Sequence, residues 1–84
     1  MQISDNGPKF EKPATYRIRI RGHLPKRWSD RLGGMTITTD DREGEAPVTT
    51  LSGWLRDQAA LLGVLNTLYD LHLPLLSVEY LDTE

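Results

Sequence analysis

The sequence predicts an α+β domain: a two-layer sandwich with one long helix on a four-stranded mixed sheet, in the chain order β-β-β-α-β. Three observations predict it. Tyr16, Ile18 and Ile20 alternate with Arg17, Arg19 and Arg21, the period of two that a half-buried strand requires. Residues 58–72, QAALLGVLNTLYDLH, carry apolar side chains at spacings of three and four, the mark of an amphipathic helix. The chain has 84 residues, enough for one domain with a single layer of sheet–helix contacts. A domain of this size buries only about 60% of its unfolded surface, so any large additional burial must come from a partner.

Residues 1–12, polar and holding Gly7 and Pro8, read as a flexible tail ahead of a single domain over 13–84. The first strand is YRIRIR, with its tyrosine and isoleucines inward and its arginines outward. A long connection follows, GHLPKRWSDRLGG, in which Pro25 disfavours helix at Leu24 and Gly33-Gly34 ends a short turn of helix over Lys26–Leu32. Residues 35–39, MTITT, form the second strand, with Met35, Ile37 and Thr39 on one side. The acidic stretch DDREGEAP turns the chain. Thr49–Leu55 form a third strand, with Leu51 and Leu55 inward and Thr50, Ser52 and Trp54 outward. Asp57 is the N-cap of the helix over 58–72, since its carboxylate can accept orphan backbone N–H groups. Leu61, Leu65, Leu68 and His72 make the helix stripe, widened by Leu62, Val64, Tyr69 and Leu71. His72 can cap the last carbonyls, Gly63 invites close backbone approach, and Pro74 stops the helix. LLSVEYL, residues 75–81, is the last strand, with Leu76, Val78 and Tyr80 inward and Leu75, Ser77, Glu79 and Leu81 outward.

The second and third strands suit a hairpin, and the helix suits a right-handed crossover to a parallel fourth strand. The sheet order expected from this is 4-1-2-3, with the fourth strand parallel to the first. Charge is segregated along the chain. Lys9 to Arg31 holds eight Lys or Arg against two acidic residues, net +6, whereas Asp40 to Glu84 holds nine acidic residues against two Arg, net −7. One account is an anionic ligand at the basic part. The preferred account is neutralisation within the sheet, with Glu79 beside the row of Arg17, Arg19 and Arg21.

The segments YRIRIRGHL, RWSDRLGGMTIT and TTLSGWLRDQAALLGVLNTLYDLHLPLLSVE together resemble a group of small bacterial proteins of uncharacterised function. The resemblance runs from Tyr16 to Glu79. It is carried by Gly22, Trp28-Ser29, Leu51-Ser52-Gly53, the helix start Asp57-Gln58-Ala59-Ala60-Leu61 and the exit Leu73-Pro74-Leu75-Leu76-Ser77-Val78. It implies a bacterial origin and supplies no catalytic residue, ligand or partner.

Chemistry has little to work with. Cysteine is absent, which excludes disulfides, thiolate catalysis and cysteine–zinc sites and fits a cytoplasmic setting. MQISDNGPKFEK has no apolar core of the signal-peptide kind, and AALLGVLNTLYDLHLPLL is interrupted by Asn66, Asp70, His72 and Pro74, so no membrane association is expected. His23 and His72 stand alone, with no metal-ligand spacing. No GxSxG elbow or phosphate loop is present, and Ser29 and Asp30 suit local turn hydrogen bonds. The expectation is therefore no enzyme, no metal and no cofactor. Nucleic acid is disfavoured, because the arginine side of the first strand lacks an aromatic for base stacking and acidic segments surround it.

What remains is a non-catalytic interaction module, homodimeric through the uncovered sheet face or an edge strand. Arg17, Arg19, Arg21, Thr38, Thr50, Trp54 and Glu79 are the expected interface. The alternative is a binding domain for an anionic small molecule or nucleic acid at the basic strand and loop, with Lys26, Arg27, Trp28 and Arg31 as its site. Trp28 itself has two readings. Leu24, Trp28 and Leu32 recur every four residues and suit a plug at the end of the core, which is preferred; the other reading puts Trp28 on a pocket rim.

Overall fold

The computed structural model describes residues 13–41 and 43–81, so the tail expected over 1–12 lies outside the described residues. The elements are β1 (Ala14–Arg21), a 3-10 helix (Lys26–Leu32), β2 (Thr36–Asp40), β3 (Val48–Leu55), α1 (Gln58–Asp70) and β4 (Leu75–Leu81). This is the expected α+β class: four strands in one sheet and one long helix, in the expected chain order.

The sheet order is β2-β3-β1-β4, not 4-1-2-3, and every neighbouring pair is antiparallel. The parallel neighbour that would have made the sheet mixed is not there: β4 runs antiparallel to β1. The parallel direction expected of the strands on either side of the helix does hold. β3 and β4 do point the same way, but β1 lies between them, and α1 carries the chain across it. The same arrangement occurs at the other side. β1 and β2 point the same way with β3 between them, and the 3-10 segment makes that crossing. The expected order went wrong by treating β1 and β2 as neighbours. The fourteen residues that join them are as long as a crossover needs. Two interleaved split crossovers give the ferredoxin-like strand arrangement, with a seven-residue 3-10 helix in place of the first long helix.

The alternation in β1 is realised. Ile18 and Ile20 are fully enclosed, Tyr16 nearly so, while Arg19 and Arg21 are exposed. Leu51 and Leu55 of β3, Met35 and Ile37 join the same core, and Leu24 and Leu32 close it from the long connection. Gly33 ends the 3-10 helix in the left-handed region, φ 69°, with its N–H on the Ser29 carbonyl. A Cβ at Gly33 would come within 2.7 Å of the Leu55 side chain. Ser29 makes the local bond expected of it, its hydroxyl donating to the Met35 carbonyl at 2.7 Å.

Thr49 is the one fully buried polar side chain among the described residues. Its hydroxyl donates to the Gly22 carbonyl at 2.6 Å, and the Thr39 hydroxyl lies 3.1 Å away. Since the Thr49 proton is committed to Gly22, Thr39 is the donor in the second bond. The chain Thr39 to Thr49 to Gly22 thereby ties β2, β3 and the end of β1 together.

Asp57 caps α1 as expected, its carboxylate accepting from the Ala60 N–H at 2.8 Å. The helix ends at Asp70, two residues before the expected limit. The Leu73 N–H reaches the Leu68 carbonyl and the His72 N–H the Tyr69 carbonyl, which is a Schellman closure. It requires a left-handed residue, and His72 supplies it at φ 60°. The cap on the last carbonyls is therefore the His72 backbone. Gly63 does not mediate close approach either, since a Cβ there would meet nothing within 4 Å.

Candidate functional site

On the sheet face away from α1, the strand register lays side chains out in rows. Thr38, Thr50, Arg19 and Ser77 form one row across all four strands, and Thr36, Ser52, Arg17 and Glu79 form the next. Trp54 lies beyond them beside Thr15 and is 62% exposed. Arg17 donates to Glu79 at 3.1 Å across the β1–β4 ladder. This is the neutralisation within the sheet that the segregated charge suggested. Both partners are partly exposed, so the pair is worth no more than about 1 kcal/mol. Arg21 sits one row on, opposite Val48. The residues expected at an interface thus share one face; of them Arg19 and Thr50 line a shallow depression of about 520 Å³, together with Asp40, Val48, Leu76 and Ser77.

The second expected set lies on the 3-10 helix. Lys26, Arg27 and Arg31 are exposed. Trp28 is half-buried and packs on the core beside the buried Leu24 and Leu32. Its ring lies 5.1 Å from the Arg31 guanidinium carbon, a cation–π contact. Trp28 is thus shared between the core below it and Arg31 beside it.

The sequence missed a third surface. A helix about 10 Å wide covers roughly two strands spaced about 4.8 Å apart. α1 packs toward β3 and the 3-10 helix, which leaves β4 uncovered on the helix side. Tyr80 pairs with Tyr16 and Val78 with Ile18, so both point to the core side, yet they are 45% and 39% exposed. The ladder shifts between Arg19 and Ile20, which sets Leu75 rather than Leu76 opposite Ile20. Leu75 therefore belongs to the helix side, where it is exposed, and Leu76 borders the depression on the far face. This reverses the expected placement of the two leucines. Leu62 and Tyr69, expected to widen the buried stripe of α1, are also exposed, because the helix turns Leu61, Val64 and Leu68 inward. A legible signal did exist: apolar residues encircle more of α1 than one contact face can bury.

Between α1 and the sheet, the Gln58 side-chain amide donates to the Tyr16 hydroxyl at 2.7 Å. Tyr80 meets the Tyr16 ring edge-on, with centroids 5.7 Å apart. Burial pushes the Tyr16 phenol above its ordinary pKa, because the phenolate would lose its hydration; the Gln58 bond opposes this and Tyr80 adds to it. Among the described residues no three His, Cys, Asp or Glu side chains converge as metal ligands. No helix among them is long and apolar enough to cross a membrane.

A family model described as a domain of unknown function (DUF8691) matches residues 15–79. The chain belongs to that family. The match covers almost the same residues as the resemblance seen in the sequence, and it includes most of β1, both crossovers and most of β4. No curated protein and no solved structure matches the chain.

Proposed function

We propose that this DUF8691 domain is a non-catalytic interaction module that self-associates as a homodimer. The observation that carries the reading is the number of large apolar side chains left in water. Seven are exposed among the described residues: Trp54, Leu62, Tyr69, Leu75, Leu76, Val78 and Tyr80. Single exposed apolar residues need no explanation, but six of these seven come from α1 and β4 alone. Trp54 is the seventh and stands apart from them, on the opposite face of the sheet with Arg17, Arg19, Arg21, Thr38, Thr50 and Glu79, which is the rival surface for the same self-association. The reading includes a bacterial cytoplasmic setting, which the cysteine-free sequence suits.

Sedimentation equilibrium of the full chain tests this from about 1 to about 100 μM, a range that brackets a micromolar dissociation constant. The expected mass is twice 9.5 kDa at the upper end. A constant 9.5 kDa would refute self-association.

The alternative, an anion or nucleic-acid site at the basic strand and loop, has less support. Arg17 is engaged by Glu79, and the exposed Arg31 is stacked on Trp28. Saturable binding of single-stranded RNA at ~0.15 M salt, weakened by Arg19→Glu, would favour that alternative.

A further inference from the structure

The two edges of the sheet differ in kind. β2 is five residues long and reads TITTD, with its exposed positions occupied by threonine and aspartate. Short, polar strands of this sort are how folded proteins discourage pairing along an open edge. β4 is seven residues long and reads LLSVEYL, without lysine or proline, and with Glu79 as its single charge. One side of its backbone bonds β1, and the other lies at the sheet boundary. Beside that edge, on the helix side, lie the exposed Leu75, Val78 and Tyr80; the exposed Tyr69 of α1 lines the same groove as Leu75, and the exposed Leu62 stands two turns earlier on the stripe of Tyr69. A groove of about 390 Å³ lined by Leu65, Leu68, Tyr69, Leu73 and Leu75 runs between the end of α1 and the start of β4.

Resting on the self-association reading above, we infer that the β4 edge and the adjoining apolar strip of α1 are the dimer interface, and that their occupant is the same edge and strip of a second copy. Three observations commit the surface to that occupant. The boundary backbone groups of β4 offer a template for a further strand, and antiparallel pairing of β4 with itself supplies one under two-fold symmetry. The strip is self-complementary in chemistry, being apolar on the helix side apart from Asn66, which also lines the groove. Its area is also sufficient. Five large side chains exposed by 39–78% amount to roughly 500 Å² per protomer, so two strips together come close to the 1,000–1,200 Å² of a small specific interface before the backbone is added. Register is constrained as well. A pairing centred on Glu79 would set two carboxylates opposite each other, which is unfavourable. One centred on Val78 avoids this and sets Glu79 opposite Ser77 of the partner subunit. The product is a continuous eight-stranded antiparallel sheet with a helix from each copy flanking the two-fold.

The test is sedimentation equilibrium of the full chain and of four variants, each first checked for a native circular dichroism spectrum. Val78→Lys should weaken the dimer by at least about a hundredfold, since it places two like charges at the two-fold in a desolvated strip. Tyr69→Lys should also weaken it. Trp54→Glu and Thr38→Lys, on the far face and the opposite edge, should leave it unchanged. Amide exchange on the unmodified chain gives an independent readout: β4 should gain protection on concentration from about 1 to about 100 μM while β2 does not. A dimer lost in Trp54→Glu and kept in Val78→Lys would overturn this interface and leave self-association standing. A chain monomeric at every concentration would overturn both. A full-length monomer that dimerises once residues 1–12 are deleted would also overturn it, by making those residues the occupant of the strip.

Discussion

Replacing Thr49 by valine removes one hydroxyl from the core and keeps the shape of the side chain. The structure fixes what is lost. Thr49 is fully buried and donates to the Gly22 carbonyl at 2.6 Å, and it accepts from Thr39. A buried neutral hydrogen bond contributes about 1 kcal/mol net, and a carbonyl left without a partner costs about 1–3 kcal/mol. Gly22 is only half-buried, so water can reach its carbonyl and the lower part of that range applies. The new methyl group recovers up to about 0.8 kcal/mol by burial. The expected net loss is about 1 kcal/mol, or roughly 4–8 °C in Tm for a domain of this size. The donor order adds a sharper test. Thr39→Val should cost less than Thr49→Val, because the Thr49 bond to Gly22 survives it. In the Thr49→Val background, Thr39→Val should cost almost nothing further. Urea melts of the two single variants and the double variant measure all three quantities. A Thr49→Val protein as stable as the parent, or a Thr39→Val loss equal to that of Thr49→Val, would refute the proposed chain of donors.

Three further outcomes follow from the backbone and the core. Gly63→Ala should stabilise the domain by about 0.8–1 kcal/mol, because its Cβ position is open and alanine is the better helix former; a destabilised urea melt would show a contact that the structure lacks. His72→Gly should stabilise it by roughly 1 kcal/mol by relieving the left-handed conformation at φ 60°, and an unchanged midpoint would mean that the histidine side chain makes up the difference. Tyr16, with its phenol pKa raised by burial, keeps its proton in the folded state to higher pH than in the unfolded chain. Its contribution is complete below the ordinary tyrosine pKa of about 10 and is lost as pH rises through the folded value, so stability should fall above pH ~10, and less steeply in Tyr16→Phe.

Local features were legible and long-range ones were not. The alternation in YRIRIR, the cap at Asp57 and the inward leucines of β3 are set by neighbours within a few residues, and each is found in place. Glu79 beside Arg17 was also readable, since a sheet with segregated charge has few ways to neutralise it. Strand adjacency depends on where a connection travels, and no periodicity records that. The length of the segment from Gly22 to Met35 together with its buried Leu24 and Leu32 was the available sign of a crossover. The exchange of Leu75 and Leu76 between faces follows from one irregular residue in the β1–β4 ladder, which alternation cannot reveal. The exposure of Tyr69 and Leu62 depends on how α1 is rotated over the sheet, a property of the packed pair and not of the helix sequence.

β1 is central in the sheet, yet both strands that pair with it, β3 and β4, come later in the chain. During synthesis, residues 14–21 must leave the ribosome and remain single until at least residues 48–55 have followed. Only the β2–β3 hairpin can close locally; the pairings of β1 wait on distant segments, which slows folding relative to a helical chain of equal length. An unpaired strand that carries Tyr16, Ile18 and Ile20 on one side is a hazard in that interval. Arg17, Arg19 and Arg21 stand at every second position of it, so any flat stacking of nascent copies brings like charges together. The same arginines that line a sheet face in the finished domain thus act earlier as gatekeepers for the segment that waits longest for its neighbours.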